Sequence, residues 1–460
     1  MSRRTAAMGA MVAAASLVLA GCGLSGSDGD DGPDAGGGGE SAESIAAVTD
    51  EELEGTTITM ARFFGDCDDT TDGVTDIAEA TTECEAIQIL TNKFVAENEW
   101  GIEVERLGGA AWHSYYDGLN AALASSERPD IAVMHGSNLP DYASRNLIVP
   151  VPEDMGIDLA DATQPASDAV VIDGEYYGVP FDTHAIVSHL NMDLLAEAGL
   201  TEADGSYTMP DSVEAFLADA ETFHKATGKT FIDIALSGDP MGSRLWMALI
   251  WQQGEDFIDA EARTASADSA AAVAALEFIN ELADSGYTEP TRDYDASQQA
   301  FLRGESAIMY NGVWAVNQYA AEAPFDYQVT DAPMLFDEAA TWANSHLWAV
   351  PVQDDADPVQ YRAAFELAKF LYEHTGEWAV ATGHMASSTS ALESEAYQNA
   401  PHRTQYLNTA TEYGHMQPRL VEWPAIGDLV HEKIEATWLS GADVDTALAE
   451  LQTEITSRLQ

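Results

Sequence analysis

The stretch TITMARF at residues 57–63 is a strand candidate, and the pattern that follows it decides the fold. Apolar residues recur at helical spacing over residues 84–97, and IEVERL at residues 102–107 alternates as a strand does. A second helical segment covers residues 112–125, and DIAVM at residues 130–134 has the length of a short buried strand. The order strand, helix, strand, helix, strand predicts a parallel, doubly wound α/β sheet.

Ligands of such sheets bind beyond the carboxyl ends of the strands. Here those ends carry the segments FFGD at residues 63–66, LGG at residues 107–109 and MHGS at residues 134–137. They supply Asp66 and His135 as candidate ligand contacts. The sequence contains no Walker A loop, no H-E-x-x-H motif and no G-x-S-x-G elbow.

Further helices are predicted by apolar periodicity. They cover residues 212–227, 269–285, 358–374, 428–440 and 443–459.

The first residues have the organisation of a secretory signal. Arg3 and Arg4 form a basic start, and residues 6–20 form an apolar run that is too short for a comfortable membrane span. The run ends in LAGC at residues 19–22, which resembles the lipobox of bacterial lipoproteins. That resemblance implies cleavage before Cys22 and acylation of its thiol, a good nucleophile once ionised. The alternative is an ordinary signal peptide with an incidental cysteine.

Residues 22–55 are predicted to be a lipid-anchored tether. Residues 23–39 are rich in Gly, Ser and Asp and contain almost nothing that a core could bury, which favours disorder. No later stretch is apolar enough to span a membrane. We therefore expect a lipid-anchored protein at the extracellular face of the cell membrane.

The formal net charge is −59. Such a chain repels nucleic acid and anionic lipid, so we expect neither as a partner, and membrane contact only through the anchor. A charged ligand is one explanation of the acidity. An acidic surface suited to a salty environment is the other, and it is favoured because the acids are spread along the chain.

Cys67 and Cys84 remain once Cys22 is assigned to the lipid, and a disulfide between them is expected in an oxidising compartment. The enclosed loop also has the residue order of an EF-hand, with oxygen-bearing side chains at suitable spacing. That order is carried by Asp68, Thr70, Asp72, Gly73, Asp76 and Glu79. A disulfide-closed surface loop without calcium is the favoured interpretation, because Thr is a weak ligand at the third position. We expect no metal site and no cofactor.

A series of short motifs follows in a fixed order through most of the chain. They are WHSYY (112–116), RPDI (128–131), YGVPFD (177–182), NMDLLAEAGL (191–200), FLRGESAIM (301–309), NGVW (311–314), LWAVP (347–351) and TGHMA (382–386). Each motif is weak alone, but their order resembles the carbohydrate-type extracellular solute-binding proteins (family 1) of ABC importers, in the lipoprotein form of Gram-positive bacteria.

The resemblance implies a two-lobed α/β fold of the periplasmic-binding-protein type (type II). Lobe one is expected at residues 56–180 plus 347–390, and lobe two at residues 181–346 plus 391–460. The discontinuous lobes would close about a hinge around a carbohydrate ligand. A monomer that passes its sugar to membrane permease subunits, without covalent chemistry, is therefore expected.

A sugar site needs aromatic plates for the apolar CH faces of the ring. Trp314 ranks first, because it follows Asn311 and Gly312 where the family places a stacking aromatic. Trp348, at a lobe crossing, and Trp251, at a helix end, are further candidates. Core packing is the alternative for each tryptophan.

A sugar site also needs hydrogen-bonding groups for the hydroxyls. Asp182 and His184 follow the first crossing, where carboxylates in the family often hold hydroxyls, although a structural role is common for such a histidine. Arg419 offers a planar fork of donors, with a surface salt bridge as its alternative.

Two other functions stay open at this point. One is a secreted glycosidase, which needs two carboxylates that flank a scissile bond. A chain with so many Asp and Glu residues offers many such pairs, so the sequence does not exclude this function. An importer subunit for a polyamine, a peptide or a metal is the other. The tryptophans at predicted cleft positions favour sugar.

We expect the substitution Cys22→Ser to abolish acylation, because a hydroxyl is a poorer nucleophile than a thiolate. The protein should then be released into the medium or held as an unprocessed precursor, as measured by cell fractionation and mass spectrometry. A variant that stays processed and membrane-bound would contradict the lipobox assignment.

Overall fold

A computed structural model of the chain describes residues 42–107 and 112–460, all of which belong to the unit that begins at Gly39. Cys22, the LAGC segment and most of the predicted tether lie outside the described residues. Within the described ranges, no helix combines the length and the apolar character that a membrane crossing requires.

Strands and helices alternate through most of the chain. The strands are β1 (Thr57–Ala61), β2 (Glu103–Arg106), β3 (Ile131–His135), β4 (Val171–Ile172), β5 (Glu175–Tyr176), β6 (Val179–Asn191), β7 (Thr230–Asp233), β8 (Ile258–Asp259), β9 (Thr264–Ala265), β10 (Ser306–Gly312), β11 (Tyr327–Asp331), β12 (Thr341–Ala349), β13 (Met385–Ala386) and β14 (Gly414–Met416). The helices are α1 (Ala42–Ala46), α2 (Asp50–Leu53), α3 (Asp68–Thr71), α4 (Glu83–Glu97), α5 (Trp112–Leu123), α6 (Leu139–Ser144), α7 (Gln164–Val170), α8 (Met192–Glu197), α9 (Val213–Thr227), α10 (Met241–Trp251), α11 (Ala270–Asp284), α12 (Tyr294–Leu302), α13 (Val316–Glu322), α14 (Pro358–Glu373), α15 (Thr375–Thr382), α16 (Thr389–Leu392), α17 (Glu395–Gln398), α18 (Trp423–Ser440) and α19 (Val444–Leu459).

The predicted strand–helix–strand–helix–strand unit is present. Strand β1 runs parallel to β2 and to β3, with Thr57 opposite Glu103 and Met60 opposite Ile131. Helices α4 and α5 connect these strands, as a parallel pairing requires. The fold is α/β with a mixed sheet in the order β2-β1-β3-β12-β6-β10-β7.

Strands β6 and β12 join the two halves of this sheet. Each is buried along its whole length, and the two pair antiparallel with each other. Beyond β12, strand β6 continues into antiparallel pairing with β10 and β11. A strand that is buried on both faces carries apolar or hydrogen-bonded polar side chains on both of them. For this reason the alternation of polar and apolar residues is weak in β6 and β12.

Apolar side chains form separate cores on the two sides of these crossing strands. The first core includes Ile58, Val133 and Trp378, and the second includes Phe231, Trp246 and other residues of α10, α11 and α18. A smaller third core lies around α13 and α15.

The longer helices agree with the periodicity, and their first turns explain where they begin. Side-chain oxygens of Thr82, Ser212, Ser269 and Asp443 accept backbone N–H groups at the starts of α4, α9, α11 and α19. Helix α18 begins at Trp423, earlier than the predicted residue 428, because Pro424 is tolerated in a first turn.

Part of the predicted tether range, residues 22–55, is folded. Helices α1 and α2 lie inside that range, and Ile45, Val48 and Leu53 are buried in the first core. Arg362 of α14 also donates a hydrogen bond to the carbonyl oxygen of Val48, at 3.3 Å. The average composition of residues 22–55 concealed these three apolar residues, which suffice to attach the segment to α14.

The disulfide between Cys67 and Cys84 is confirmed. It connects the start of α3 to the first turn of α4, so that the loop between them is closed at its ends. The side chain of Asp68, the first position of the calcium-like order, lies outside the described residues.

Replacing both cysteines, Cys67→Ser and Cys84→Ser, should lower the free energy of unfolding by about 3 kcal/mol, the loop-entropy value for a loop of this length. Urea unfolding with and without dithiothreitol measures the change. The matched control is the same double variant, which should lose nothing further on reduction. A native protein with two titratable thiols at these positions would contradict the bond.

Candidate ligand-binding cleft

Two adjoining cavities form a cleft between the halves of the sheet. Their volumes are about 570 and about 210 Å³, and the larger one lies in the range of small-molecule sites. Both are lined by Trp112, His135, Asp239, Arg244 and Trp342. The carboxyl ends of β1 and β3 open into the smaller cavity, which is where α/β sheets bind ligands.

Three tryptophans surround one buried cation in this cleft. The guanidinium carbon of Arg244 lies 4.1 Å from the ring centroid of Trp342, 5.6 Å from that of Trp112 and 5.9 Å from that of Trp314. Such distances are those of cation–π contacts. Among the described residues, the guanidinium of Arg244 makes no salt bridge, and its Nη1 donates to the sulfur of Met241 at 3.8 Å. Its remaining donors are available to a ligand.

The tryptophans differ in how much surface they offer. Trp112 is 37% exposed, Trp314 is half-buried, and Trp342 is almost completely buried behind Arg244. Trp112 and Trp314 are therefore the two plates on which an apolar ligand face can pack.

Trp314 is held in place by a chain of hydrogen bonds. Its Nε1 donates to the hydroxyl of Tyr294 at 2.7 Å, and that hydroxyl donates to Oδ1 of Asn311 at 3.2 Å. The amide nitrogen of Asn311 donates to Tyr319 at 2.9 Å. The indole lies directly over Gly312, where an added Cβ would be 2.1 Å from the ring. Only a glycine leaves room for this ring position.

A buried carboxylate organises the floor of the smaller cavity. Asp182 of β6 lies opposite His346 of β12 in the sheet register. Nδ1 of His184 donates to Oδ1 of Asp182 at 3.1 Å, and Nδ1 of His346 donates to Oδ2 at 2.9 Å. The indole of Trp378 donates to the same Oδ2 at 2.8 Å, and Nε2 of His384 lies 3.8 Å from it. All of these side chains are buried.

Burial sets the charge state of this floor. It lowers the pKa of His184 to about 3 and that of His384 to about 4, so both imidazoles are neutral at pH 7. Burial alone would raise the pKa of Asp182, but the neighbouring His346 and His384 and its hydrogen bonds hold it well below the usual range. Burial and the charge of Asp182 raise the pKa of Glu83, on the cavity wall, to about 8.

His135 connects the floor to the wall of the cleft. Its Nε2 lies 3.3 Å from Nε2 of His346, and its Nδ1 lies 2.7 Å from the hydroxyl of Tyr116. The ring stacks on Phe63 with centroids 5.1 Å apart. The position of His135 is fixed by the antiparallel pairing of β3 with β12, in which it lies opposite His346.

The structure brings five of the sequence-derived candidates together. His135, His184 and Trp314 line the smaller cavity. Asp182 and Asn311 lie directly behind this lining, where they orient the histidines and Tyr294.

Four other candidates lie elsewhere. Trp348 is fully buried and packs against Phe181 in the first core, with centroids 5.5 Å apart. Trp251 is buried as well and stacks on His415. Both tryptophans are therefore packed in the protein core, which was the alternative to a place in the sugar site.

Asp66 and Arg419 also lie outside the two cavities. Asp66 is exposed and pairs with Arg106 at 2.8 Å. Arg419 donates to the backbone carbonyl oxygens of Asp168 and Val171, so that its fork holds a loop in place.

Several lining residues were missed by sequence reasoning. They are Glu83, Trp112, Asp239, Arg244, Tyr294, Trp342, His346 and His384. A signal did exist for β12, because Trp342, Asn344 and His346 alternate on one face of it. Arg244 carried no such signal, since α10 is buried on every side and shows no polar face.

The chain matches a known protein family. The model of the bacterial extracellular solute-binding protein family matches residues 90–405, more than half of the chain.

Individual relatives are distant but cover most of the chain. The maltotriose-binding protein of Pyrococcus abyssi is 21% identical over 349 residues, which are 74% of this chain and 73% of that protein. The GacH receptor of Streptomyces glaucescens, solved unliganded and with acarbose, superimposes with a TM-score of 0.72 at 21% identity, over 88% of this chain and 98% of its own. UgpB from Mycobacterium tuberculosis, in complex with glycerophosphocholine, gives a TM-score of 0.74 at 18% identity, over 88% and 98%. At these identities the solved structures establish the fold.

Gly312→Ala should displace the Trp314 ring, because the added methyl group and the indole cannot share the same space. Overpacking of this kind costs about 1–3 kcal/mol. Urea unfolding measures the loss, and near-UV circular dichroism reports the changed environment of the indole.

The matched control is Gly118→Ala on the exposed face of α5, where an added Cβ meets nothing within 4 Å. The free energy of unfolding of this variant should be higher by about 0.5–1 kcal/mol, since glycine destabilises the interior of a helix relative to alanine. Equal stability of the two variants would show that the indole does not occupy this position.

Proposed function

Because this chain belongs to the family of bacterial extracellular solute-binding proteins, we propose that it captures a sugar in the cleft and delivers it to the permease of an ABC importer. A di- or oligosaccharide is the proposed ligand class. The observation that carries this proposal is the group of three tryptophans around Arg244.

Sugar rings present apolar CH faces and a rim of hydroxyls, and the cleft offers both complements. Trp112 and Trp314 supply exposed or half-exposed plates. The polar complement comes from amide and carboxyl groups that line the larger cavity, namely Asp117, Asn120, Asn138, Asn344, Gln417 and Asp428. The amides donate and accept hydrogen bonds and the carboxylates accept them, so that together they can satisfy the hydroxyls of a sugar.

Arg244 and Asp239 complete the arrangement with opposite charges. Arg244 presents planar donors in a water-poor, aromatic setting, where a bidentate contact to vicinal oxygens is strong. Asp239 already caps the start of α10 through the N–H of Met241 at 3.0 Å, and it borders both cavities. One of its oxygens can therefore serve as an acceptor for a ligand hydroxyl.

The names of relatives favour the same ligand class. The maltotriose-binding protein of Pyrococcus abyssi is named for an oligosaccharide, and GacH was solved with acarbose. UgpB with glycerophosphocholine represents a non-sugar solute on the same fold. The exposed plates favour a sugar here, and glycerophosphocholine is the probe for the alternative.

We further propose two lobes that close on the ligand, at residues 56–180 plus 347–390 and residues 181–346 plus 391–460. The separate first and second cores and the two crossing strands, β6 and β12, support this division, and the third core lies where the two proposed lobes meet. Hinge closure of such lobes would bring Trp314 and Trp112 onto opposite sides of the sugar.

The proposal assigns binding without catalysis, so the bound sugar should be recovered unchanged. A glycosidase would hydrolyse it instead. We propose that the mature protein is a monomer at the outer face of the cell membrane, attached through acylated Cys22. The family description and the lipobox-like LAGC segment support that location.

Trp314→Ala should weaken sugar binding by about 2 kcal/mol, close to thirtyfold, because it removes an aromatic anchor. Calorimetry with mono-, di- and oligosaccharides, first on the native protein and then on the variant, measures the change. The sugar recovered afterwards should be intact.

The matched control is Trp348→Phe, a tryptophan of the first core outside the cleft. It should lose stability and keep its affinity. Unchanged affinity in Trp314→Ala would remove Trp314 from the site. Binding of glycerophosphocholine with no response to any sugar would replace the ligand class, and release of monosaccharide from a bound oligosaccharide would overturn the binding function.

A further inference from the structure

An unpartnered imidazole nitrogen lies beside two carboxyl groups on the floor of the cleft. Nε2 of His384 is fully buried and has no hydrogen-bond partner in the described part of the chain. It lies 3.4 Å from Oε1 of Glu83 and 3.8 Å from Oδ2 of Asp182. A buried, unsatisfied lone pair is costly, so this position favours a proton or a cation.

Hydrogen bonds on the far side of the ring determine which nitrogen of His384 carries the lone pair. The hydroxyl of Thr382 donates to the carbonyl oxygen of Trp378 at 2.8 Å. Its oxygen is therefore an acceptor for Nδ1–H of His384, at 3.0 Å. With Nδ1 protonated, the neutral ring directs an unprotonated Nε2 toward the two carboxylates.

Two further imidazoles complete a donor set. Asp182, His184, His346 and His384 are all buried, and each places one ligand atom so that these atoms lie within 4.8 Å of one another. We propose that these four residues bind a divalent transition-metal ion, with Zn²⁺ as the ion that their chemistry fits. This goes beyond capture of a solute and departs from our expectation that the chain has no metal site.

The donor types favour zinc over calcium or magnesium. Three imidazoles and one carboxylate suit Zn²⁺, whereas Ca²⁺ and Mg²⁺ require oxygen ligands. Trp378 and Thr382 supply the outer hydrogen bonds that orient such ligands, through Oδ2 of Asp182 and Nδ1 of His384. The ion would also neutralise Asp182, whose charge is otherwise balanced only by hydrogen bonds.

His135 and Tyr116 allow the histidines to change tautomer when an ion binds. Should Nδ1 of His346 coordinate the ion, its proton moves to Nε2, which can donate to Nε2 of His135 across 3.3 Å. His135 then carries its proton on Nδ1 and donates to the hydroxyl of Tyr116 at 2.7 Å. The proton of His346 is therefore kept on its own ring when Nδ1 coordinates the ion.

The test is titration of the purified full chain, stripped with EDTA, with ZnCl₂ in the absence of any sugar. Calorimetry should show one Zn²⁺ per chain with a Kd of about 1 μM or lower, and the melting temperature should rise. MgCl₂ and CaCl₂ should give neither effect. Because no sugar is present, the result is independent of the proposed transport function.

His384→Gln and His184→Gln should each weaken Zn²⁺ binding by at least about tenfold. His224→Gln, which alters a half-buried histidine of α9 outside the cluster, is the matched control and should bind Zn²⁺ as the native protein does. Melting curves in EDTA show which variants are folded, and either cluster variant alone decides the question. Absence of saturable binding, or undiminished binding in either folded cluster variant, would overturn the site and leave Glu83 holding a proton at that position.

Discussion

A buried carboxylate constrains the centre of this molecule. Asp182 lies on the strand that joins both halves of the sheet, and an unpaired charge there would cost several kcal/mol. It is satisfied by His184 on the same strand, by the ring and the backbone N–H of His346 on the neighbouring strand, and by Trp378 on a helix of the first core. The strand pairing, the helix position and the direction of the cleft histidines are thereby fixed together.

The two crossing strands make the cleft possible. Strands β6 and β12 carry the pairing from one half of the sheet into the other, and the apolar cores form on either side of them. Between the two cores, the polar strand residues Asn344 and His346 do not pack against apolar side chains but line a cavity. A cavity between the two cores follows from this division of burial.

Charge is distributed differently at the surface and in the cleft. The chain carries a formal net charge of −59, yet a positive group, Arg244, lies at the centre of the cleft among three aromatic rings. Surface carboxylates are screened by salt, whereas a buried guanidinium keeps its full effect on a ligand. The overall acidity therefore does not describe the charge inside the cleft.

The sequence by itself determined the local structure, the disulfide pair and the family. Periodicity predicted β1 to β3 and the long helices, because spacing reports which face a segment buries. It also predicted His135, His184 and Trp314 as cleft residues. Tertiary structure alone decided that Trp348 is core: alternation places it on the same face as His346, but does not show where the covering helices end. It also decided that His184, His346 and His384 meet at one carboxylate. His346 and His384 are far from Asp182 and His184 in the chain, and only the pairing of β6 with β12 and the packing of α15 bring them within bonding distance.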